Sequence, residues 1–260
     1  MIKACFFDID GTLVSLKTKV YPPSLPPVIE ALRKKGILCY VATGRSKFEI
    51  ASEHLLDPME FDGYMTNNGQ DAYDAEGNQL CGIPIDLADV KAVLDWVDKA
   101  GCACWMVSDR HTLLNRVNPA VEYAMKAIHT RNPQIGDLHP MLKEPIYKIV
   151  LFLTEEEMKA PLKLAKNCRS AQWCKCGCDL ISMAGGKGHA MDEILARHNL
   201  DRSQAIAFGD SENDIDMIEA AGIGVAMGNG TQKTKAAADY IAPDCDDDGI
   251  LKTLQHFGLI

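Results

Sequence analysis

Three short apolar runs near the start of the chain, residues 2–7, 37–42 and 63–66, each stop against a polar cluster: Asp8-Ile9-Asp10-Gly11, Thr43-Gly44-Arg45 and Asn67-Asn68-Gly69. Helical patterns separate them. Leu25, Val28, Ile29 and Leu32 recur at helical spacing before Gly36, and a second pattern runs from about Lys47 to Leu56. Strand, helix, strand, helix, strand within so short a span predicts a doubly wound parallel sheet.

The rhythm then changes. A hairpin is expected over residues 70–83, an amphipathic helix from Leu87 to Gly101, and strands over 102–107 and 112–115. Val121, Ala124, Met125 and Ile128 mark a helix. A strand over 146–154, a helix over 155–167 and two strands over 171–176 and 179–183 complete an α+β segment. The first rhythm resumes at Gly185-Gly186-Lys187. An apolar strand over 204–208 ends at Gly209-Asp210, and another follows over 224–227. The expected organisation is an α/β, Rossmann-like core formed by residues 1–82 and 185–260, with an α+β domain inserted over 83–184.

Composition narrows the function. With 47% hydrophobic and 24% charged residues the chain can bury a core, and wholesale disorder is excluded. A formal charge of −9 argues against nucleic-acid binding by phosphate neutralisation. No run approaches the roughly 18 apolar residues of a membrane span. Acids at positions 8 and 10 fall where an export signal would place its apolar segment, so a cytoplasmic protein is expected. Its ten cysteines are then expected to be reduced thiols.

Ligands of an open parallel sheet collect at the carboxyl ends of its strands. Those ends carry Asp8 and Asp10, Thr43, Asn67, and Asp210 with Asp214, and Lys187 heads the helix that enters the strand ending at Asp210. Clustered carboxylates repel one another without a cation, and hard oxygen ligands with a lysine and a hydroxyl suit Mg²⁺ and a phosphoryl group. In Asp8-Ile9-Asp10-Gly11-Thr12 one carboxylate can attack phosphorus and the other protonate the leaving oxygen. Taken alone, D-x-D-G is equally a capping turn after a strand.

Asp8-x-Asp10-Gly-Thr-Leu13, Thr43-Gly-Arg45, Lys187 and Gly209-Asp210-Ser-Glu-Asn213-Asp214 occur in this order at strand ends. In this the chain resembles haloacid dehalogenase (HAD)-like phosphatases. The insertion resembles a type IIB cap, and the whole chain, with Asn67-Asn68-Gly69 and Gly224-Val-Ala-Met-Gly-Asn229, resembles the Cof-type branch. The resemblance implies a Mg²⁺-dependent phosphatase of small phosphorylated metabolites, sugar phosphates foremost. Asp8 would be the nucleophile and a metal ligand. Asp10 would be the acid and then the base, with its carbonyl on the metal. Thr43, Gly44, Lys187 and Asn213 would bind the phosphoryl group, Asp210 would ligate metal, and Asp214, Arg45 and Asn67 would support the site. The cap would exclude water and read the leaving group. The family's related phosphomutases, and a non-catalytic phosphoacceptor resembling a receiver domain, stand as alternatives. Neither a nucleic acid nor a membrane is an expected partner, and the chain is expected as a monomer or weak homo-oligomer.

Other residues admit plainer roles. Cys174, Cys176 and Cys178 alternate and are expected on one strand face as small apolar fillers, with thiophilic metal binding the alternative. The four acids from Asp244 to Asp248 are expected to cap and charge the first turn of a last helix containing Ile250, Leu251 and Leu254, with a second metal site the alternative. His198 reads as a core-edge histidine. Arg45 can reach substrate or form a salt bridge in the core. Gly185-Gly186 can cradle phosphate or serve as a hinge. The Asp109-Arg110-His111 turn can read substrate or simply face solvent.

Overall fold

The computed structural model describes residues 1–128 and 130–260. The chain opens with β1 (Ala4–Phe7), α1 (Leu25–Lys34), β2 (Leu38–Ala42), α2 (Lys47–Glu53), β3 (Gly63–Thr66), β4 (Asp71–Asp74) and β5 (Gln79–Gly82). It continues through α3 (Leu87–Ala100), β6 (Cys104–Ser108), β7 (Thr112–Leu114), α4 (Pro119–Ile128), β8 (Gln134–Ile135), β9 (Ile146–Leu151), α5 (Glu155–Leu164), β10 (Cys168–Cys174) and β11 (Gly177–Ser182). The last part holds α6 (Lys187–Arg197), β12 (Ala205–Gly209), α7 (Ile215–Ala220), β13 (Ile223–Ala226), α8 (Gln232–Ala237), β14 (Tyr240–Ile241) and α9 (Gly249–His256). Two compact units result, Met1–Cys81 with Gly186–Ile260, and Gly82–Gly185.

The first unit is built on a sheet of order β14-β13-β12-β1-β2-β3-β4-β5. Strands β14 through β3 are parallel, and β4 turns back antiparallel to β3. β1 is buried on both faces, as central parallel strands are. Alternate residues therefore serve two cores. Cys5 and Phe7 pack with Leu25, Val28, Ile29 and Leu32 of α1 and with Ile250 and Leu254 of α9. Ala4 and Phe6 pack with Ala190, Met191, Ile194 and Leu195 of α6. His198 ends α6 with Nε2 2.9 Å from the Tyr40 hydroxyl, at the edge of this second core.

The inserted unit carries a sheet of order β10-β11-β9-β6-β7-β8. Cys104, Met106, Ile149, Leu151, Cys178 and Leu180 face Val90, Val93, Leu94 and Val97 of α3 and Met158 of α5. Lys148 lies buried in β9, with Nζ 5.3 Å from the centre of the Trp105 ring. That cation–π contact is one of the interactions that hold a lysine inside an otherwise apolar strand.

Two expectations need correction. Cys174, Cys176 and Cys178 do not share one strand face. Cys174 closes β10 and pairs with Gly177, the first residue of β11, so Cys176 lies in the turn and Cys178 is the second residue of the return strand. The acids 244–248 do not jointly cap the last helix. Asp244 caps the 3₁₀ turn Cys245–Asp247 through the Asp246 amide, while Asp248, at the N-cap of α9, makes no side-chain cap bond and accepts from Ser24 Oγ at 2.6 Å. Lys17 pairs with Asp244 and Asp246. Strand β8 was not foreseen: two residues pairing parallel with β7 are too short for a periodic signal. Among the described residues no helix is long and apolar enough to cross a membrane.

Candidate active site

The site grows from the end of β1. Asp8 leaves the strand with its amide on Phe208 O at 3.0 Å, so β12 fixes its backbone. The chain then turns tightly: Leu13 N donates to Asp8 O, Val14 N to Ile9 O, and Gly11 N to Val14 O. Gly11 has φ +93°, in the region that favours glycine, and a β-carbon there would lie 2.4 Å from Asp210 Oδ2. Two other side chains support the turn. Thr12 Oγ1 donates to Asp210 Oδ1 at 3.4 Å, and Asn229 Nδ2 donates to Gly11 O at 2.7 Å while its Oδ1 accepts from Cys245 N.

Lys187, the first residue of α6, is fully buried. Its Nζ lies 2.7 Å from Asp8 Oδ1 and 2.5 Å from Asp214 Oδ1. Asp214 Oδ2 accepts the Asp210 and Ser211 amides, each at 3.0 Å. Both oxygens of Asp214 are thus committed within the protein. One oxygen from each of Asp8, Asp210 and Asp214 lies within 4.8 Å of the others.

Burial dominates the electrostatics. It pushes the Asp8 carboxyl well above the carboxylate range; Lys187 opposes the shift, and Asp214, Asp210 and Asp10 add to it. Asp210 is pushed up to about 7, first by burial and then by Asp214. Burial alone would lower Lys187, but Asp214 and Asp8 outweigh it and hold the ammonium more tightly than in water. The site concentrates negative charge beyond what one lysine neutralises, as a cation site does.

The turn after β2 adds a second arm. Arg45 grips Asp10 with a fork, Nε to Oδ2 at 2.7 Å and Nη2 to Oδ1 at 2.8 Å. Arg45 thus stands in a salt bridge at the strand ends, and its partner is a candidate catalytic acid. Thr43 Oγ1 accepts the Arg45 amide at 3.1 Å. Gly44 leaves room for Asn68, whose Oδ1 would be 3.0 Å from a β-carbon there. Asn68 Oδ1 accepts from Asn213 Nδ2 at 2.8 Å, joining the turn after β3 to the Asp210–Asp214 segment.

The Asn67 side chain turns to Asp71, which Thr66 and Tyr73 also approach, while its backbone N–H donates to Arg45 O at 2.9 Å; its neighbour Asn68 makes the link to Asn213. Asn68 was available in the same Asn-Asn-Gly turn, but the choice between adjacent asparagines depends on a left-handed turn at both. Asn229 lay in the Gly224–Asn229 segment, without a sign that it would brace Gly11. Glu53, 2.5 Å from Arg45 Nη1, carried no signal at all.

An open parallel sheet with an inserted α+β domain and a buried Asp–Lys–Asp cluster at its strand ends defines a hydrolase of the phosphoryl-transfer class. A family model described as haloacid dehalogenase-like hydrolase matches residues 5–254, and the chain belongs to that family. It is 29% identical over 259 residues to putative phosphatase YkrA of Bacillus subtilis strain 168, covering 99% of this chain and 98% of that protein. It matches the solved structure of a HAD subclass IIB sugar phosphatase with a TM-score of 0.86 and 33% identity, covering 99% of this chain and all of that one. A putative bifunctional phosphatase/peptidyl-prolyl cis-trans isomerase of Streptococcus pyogenes serotype M6 is 27% identical over the whole chain, which spans 54% of that protein's length. The protein is accordingly a phosphatase-type enzyme with a Cof-type, subclass IIB architecture.

Proposed function

We propose that the protein hydrolyses small phosphorylated metabolites with Mg²⁺ through an aspartyl-phosphate on Asp8. The observation that carries this reading is the buried Lys187 ammonium held between Asp8 and Asp214, with Asp210 beside them. The donor set fits the metal: the carboxylates are hard oxygen ligands, and their crowding is relieved by a cation. Asp8, Asp210 and the Asp10 carbonyl would hold it, with Asp214 fixing the Asp210 segment. Bound there, Mg²⁺ supplies charge stabilisation to the phosphoryl oxygens.

The chain's own residues do the rest. An Asp8 oxygen attacks phosphorus, and the bond from phosphorus to the leaving oxygen breaks as Asp10 gives that oxygen a proton. Water then attacks the phosphorus of the aspartyl-phosphate and loses a proton to Asp10, which frees Asp8 and inorganic phosphate. Thr43, the Gly44 turn and Asn213 bind the phosphoryl oxygens, and Lys187 neutralises them. The sugar-phosphate class is taken from the subclass IIB sugar phosphatase the chain resembles.

The test is phosphate release from a panel of phosphorylated metabolites, with Mg²⁺ and with excess EDTA, together with acid-quenched labelling. Activity should vanish in EDTA and return with Mg²⁺. The trapped phosphoryl group should map to the peptide containing Asp8 and be absent from Asp8→Asn. Undiminished turnover in EDTA, or a labelled Asp8→Asn protein, would defeat the reading.

A further inference from the structure

We propose that Glu53 is a positioning residue for this reaction, acting on Asp10 through Arg45. The chain of contacts runs within the sheet unit: Glu53 Oε2 to Arg45 Nη1 at 2.5 Å, then Arg45 Nε and Nη2 to the two oxygens of Asp10 at 2.7 and 2.8 Å. Arg45 is thus held at three of its guanidinium nitrogens by two carboxylates, and its side chain is 12% exposed against 38% for Asp10 and 16% for Glu53.

Each member has a fixed base. Arg45 donates its amide to Thr43 Oγ1, and its carbonyl accepts from Asn67 N at 2.9 Å. The next residue, Ser46, starts α2 with a capping box, Ser46 Oγ accepting the Glu49 amide while Glu49 Oε2 accepts the Ser46 amide. Glu53 is the last residue of that helix. A short helix pinned at its start therefore carries the carboxylate that fixes the far side of the arginine.

The consequence for Asp10 is geometric. A carboxylate has about four lone-pair sites, and a guanidinium fork takes one on each oxygen. Both oxygens keep another for exchanging a proton, while the fork fixes the rotamer in which they are presented. Without Glu53, the long Arg45 side chain keeps its attraction to Asp10 but loses its own orientation. Misplacing a reacting group by about 1 Å can cost on the order of 100-fold in rate. Aim is what this arrangement supplies.

The inference rests on Asp10 being the acid and base of the proposed reaction, and the experiment separates the two. kcat/KM, which reports phosphoryl transfer to Asp8, is measured with a hexose phosphate and with p-nitrophenyl phosphate, whose leaving oxygen scarcely needs a proton. Asp10→Asn should lower the hexose phosphate value by about 10²–10⁴-fold and the aryl phosphate value far less. Glu53→Gln, an isosteric change, should lower the hexose phosphate value about tenfold and the aryl value less than about twofold. Arg45→Lys, which keeps the charge and loses the fork, should discriminate in the same direction. The double variant Asp10→Asn/Glu53→Gln should be no slower than Asp10→Asn, because a residue acting through Asp10 has nothing left to act on. Equal losses on both substrates in Glu53→Gln, or additive losses in the double variant, would overturn the role of Glu53 while leaving that of Asp10 standing. Absence of discrimination in Asp10→Asn would instead remove Asp10 as the acid, and the inference with it.

Discussion

Gly11 and Asp210 stand 199 positions apart in sequence, yet a β-carbon on Gly11 would sit 2.4 Å from Asp210 Oδ2. The glycine of the first motif is thus shaped around a carboxylate of the last. Its φ of +93° adds a second reason for glycine. Gly11→Ala should therefore cost about 1–3 kcal/mol in backbone strain and also displace Asp210. We expect the Mg²⁺ concentration for half-maximal turnover to rise at least about tenfold, the equivalent of about 1.4 kcal/mol at the metal. A metal titration on the variant checks this, and an unchanged midpoint would show that Asp210 does not ligate.

Metal-free protein should lose stability as pH rises from about 4 to about 7. Asp210 is pushed up to about 7 in the fold, chiefly by burial and then by Asp214, against about 3.9 when unfolded. Across that window the folded form holds a proton that the unfolded form has released. The stability Asp210 contributes is present below the unfolded value and lost as pH climbs through the folded one. Mg²⁺ should flatten the decline by favouring the carboxylate, and Asp210→Asn should remove its own share. Melting temperatures of EDTA-treated protein across the window, with and without Mg²⁺, provide the check. A wild-type profile indistinguishable from that of Asp210→Asn would contradict the assignment.

How much of this could be read in advance depended on sequence distance and on packing. Asp8, Lys187 and Asp210 were legible because each sits where an apolar run or helical pattern begins or ends, and the parallel sheet brings such points to one edge. Arg45 was legible as a candidate but its partner was not, since an arginine after a strand can reach in several directions. The link that Asn68 makes to Asn213, and the turn of the Asn67 side chain to Asp71, go with consecutive left-handed residues at φ 51° and 59°, which no periodicity announces. Alternation likewise misplaced Cys176, because the turn at Lys175-Cys176 breaks the period of two that placed all three cysteines on one face.

Replacing Cys174, Cys176 and Cys178 together by serine or alanine should leave turnover within about twofold while lowering the melting temperature by several degrees. Cys178 is 1% exposed and packs in the core of the inserted unit, so it carries most of the expected loss. Cys176 Sγ approaches the Ala120 carbonyl at 3.5 Å, and Cys178 Sγ that of Asp179 at 3.7 Å. These contacts orient thiols within a packed hairpin. Metal analysis alongside the assay would expose an error: a stoichiometric metal in the parent, lost with fold and activity in the variant, would make the cysteines a metal centre.

Lys187→Met should separate stability from chemistry. The side chain is fully buried and holds two carboxylates, so removing its charge leaves Asp8 and Asp214 facing each other without their cation. Breaking a buried pair by removing one partner typically costs about 3–5 kcal/mol, because the remaining charge stays desolvated. Two responses can lessen that cost. Protonation of Asp8, already favoured by burial, would relieve it at low pH, so the deficit should grow as pH rises. Mg²⁺ would relieve it at neutral pH through the same carboxylates, so part of the stability should return on adding metal. Activity should not return with it, because a divalent ion ligated by Asp8 and Asp210 does not replace an ammonium that neutralises the transferring phosphoryl group. Urea unfolding of Lys187→Met with and without Mg²⁺, set beside turnover under the same conditions, decides the matter. Recovery of both stability and turnover with Mg²⁺ would reduce Lys187 to a counter-ion for the acids, and near-native stability without metal would mean the buried pair contributes little to the fold.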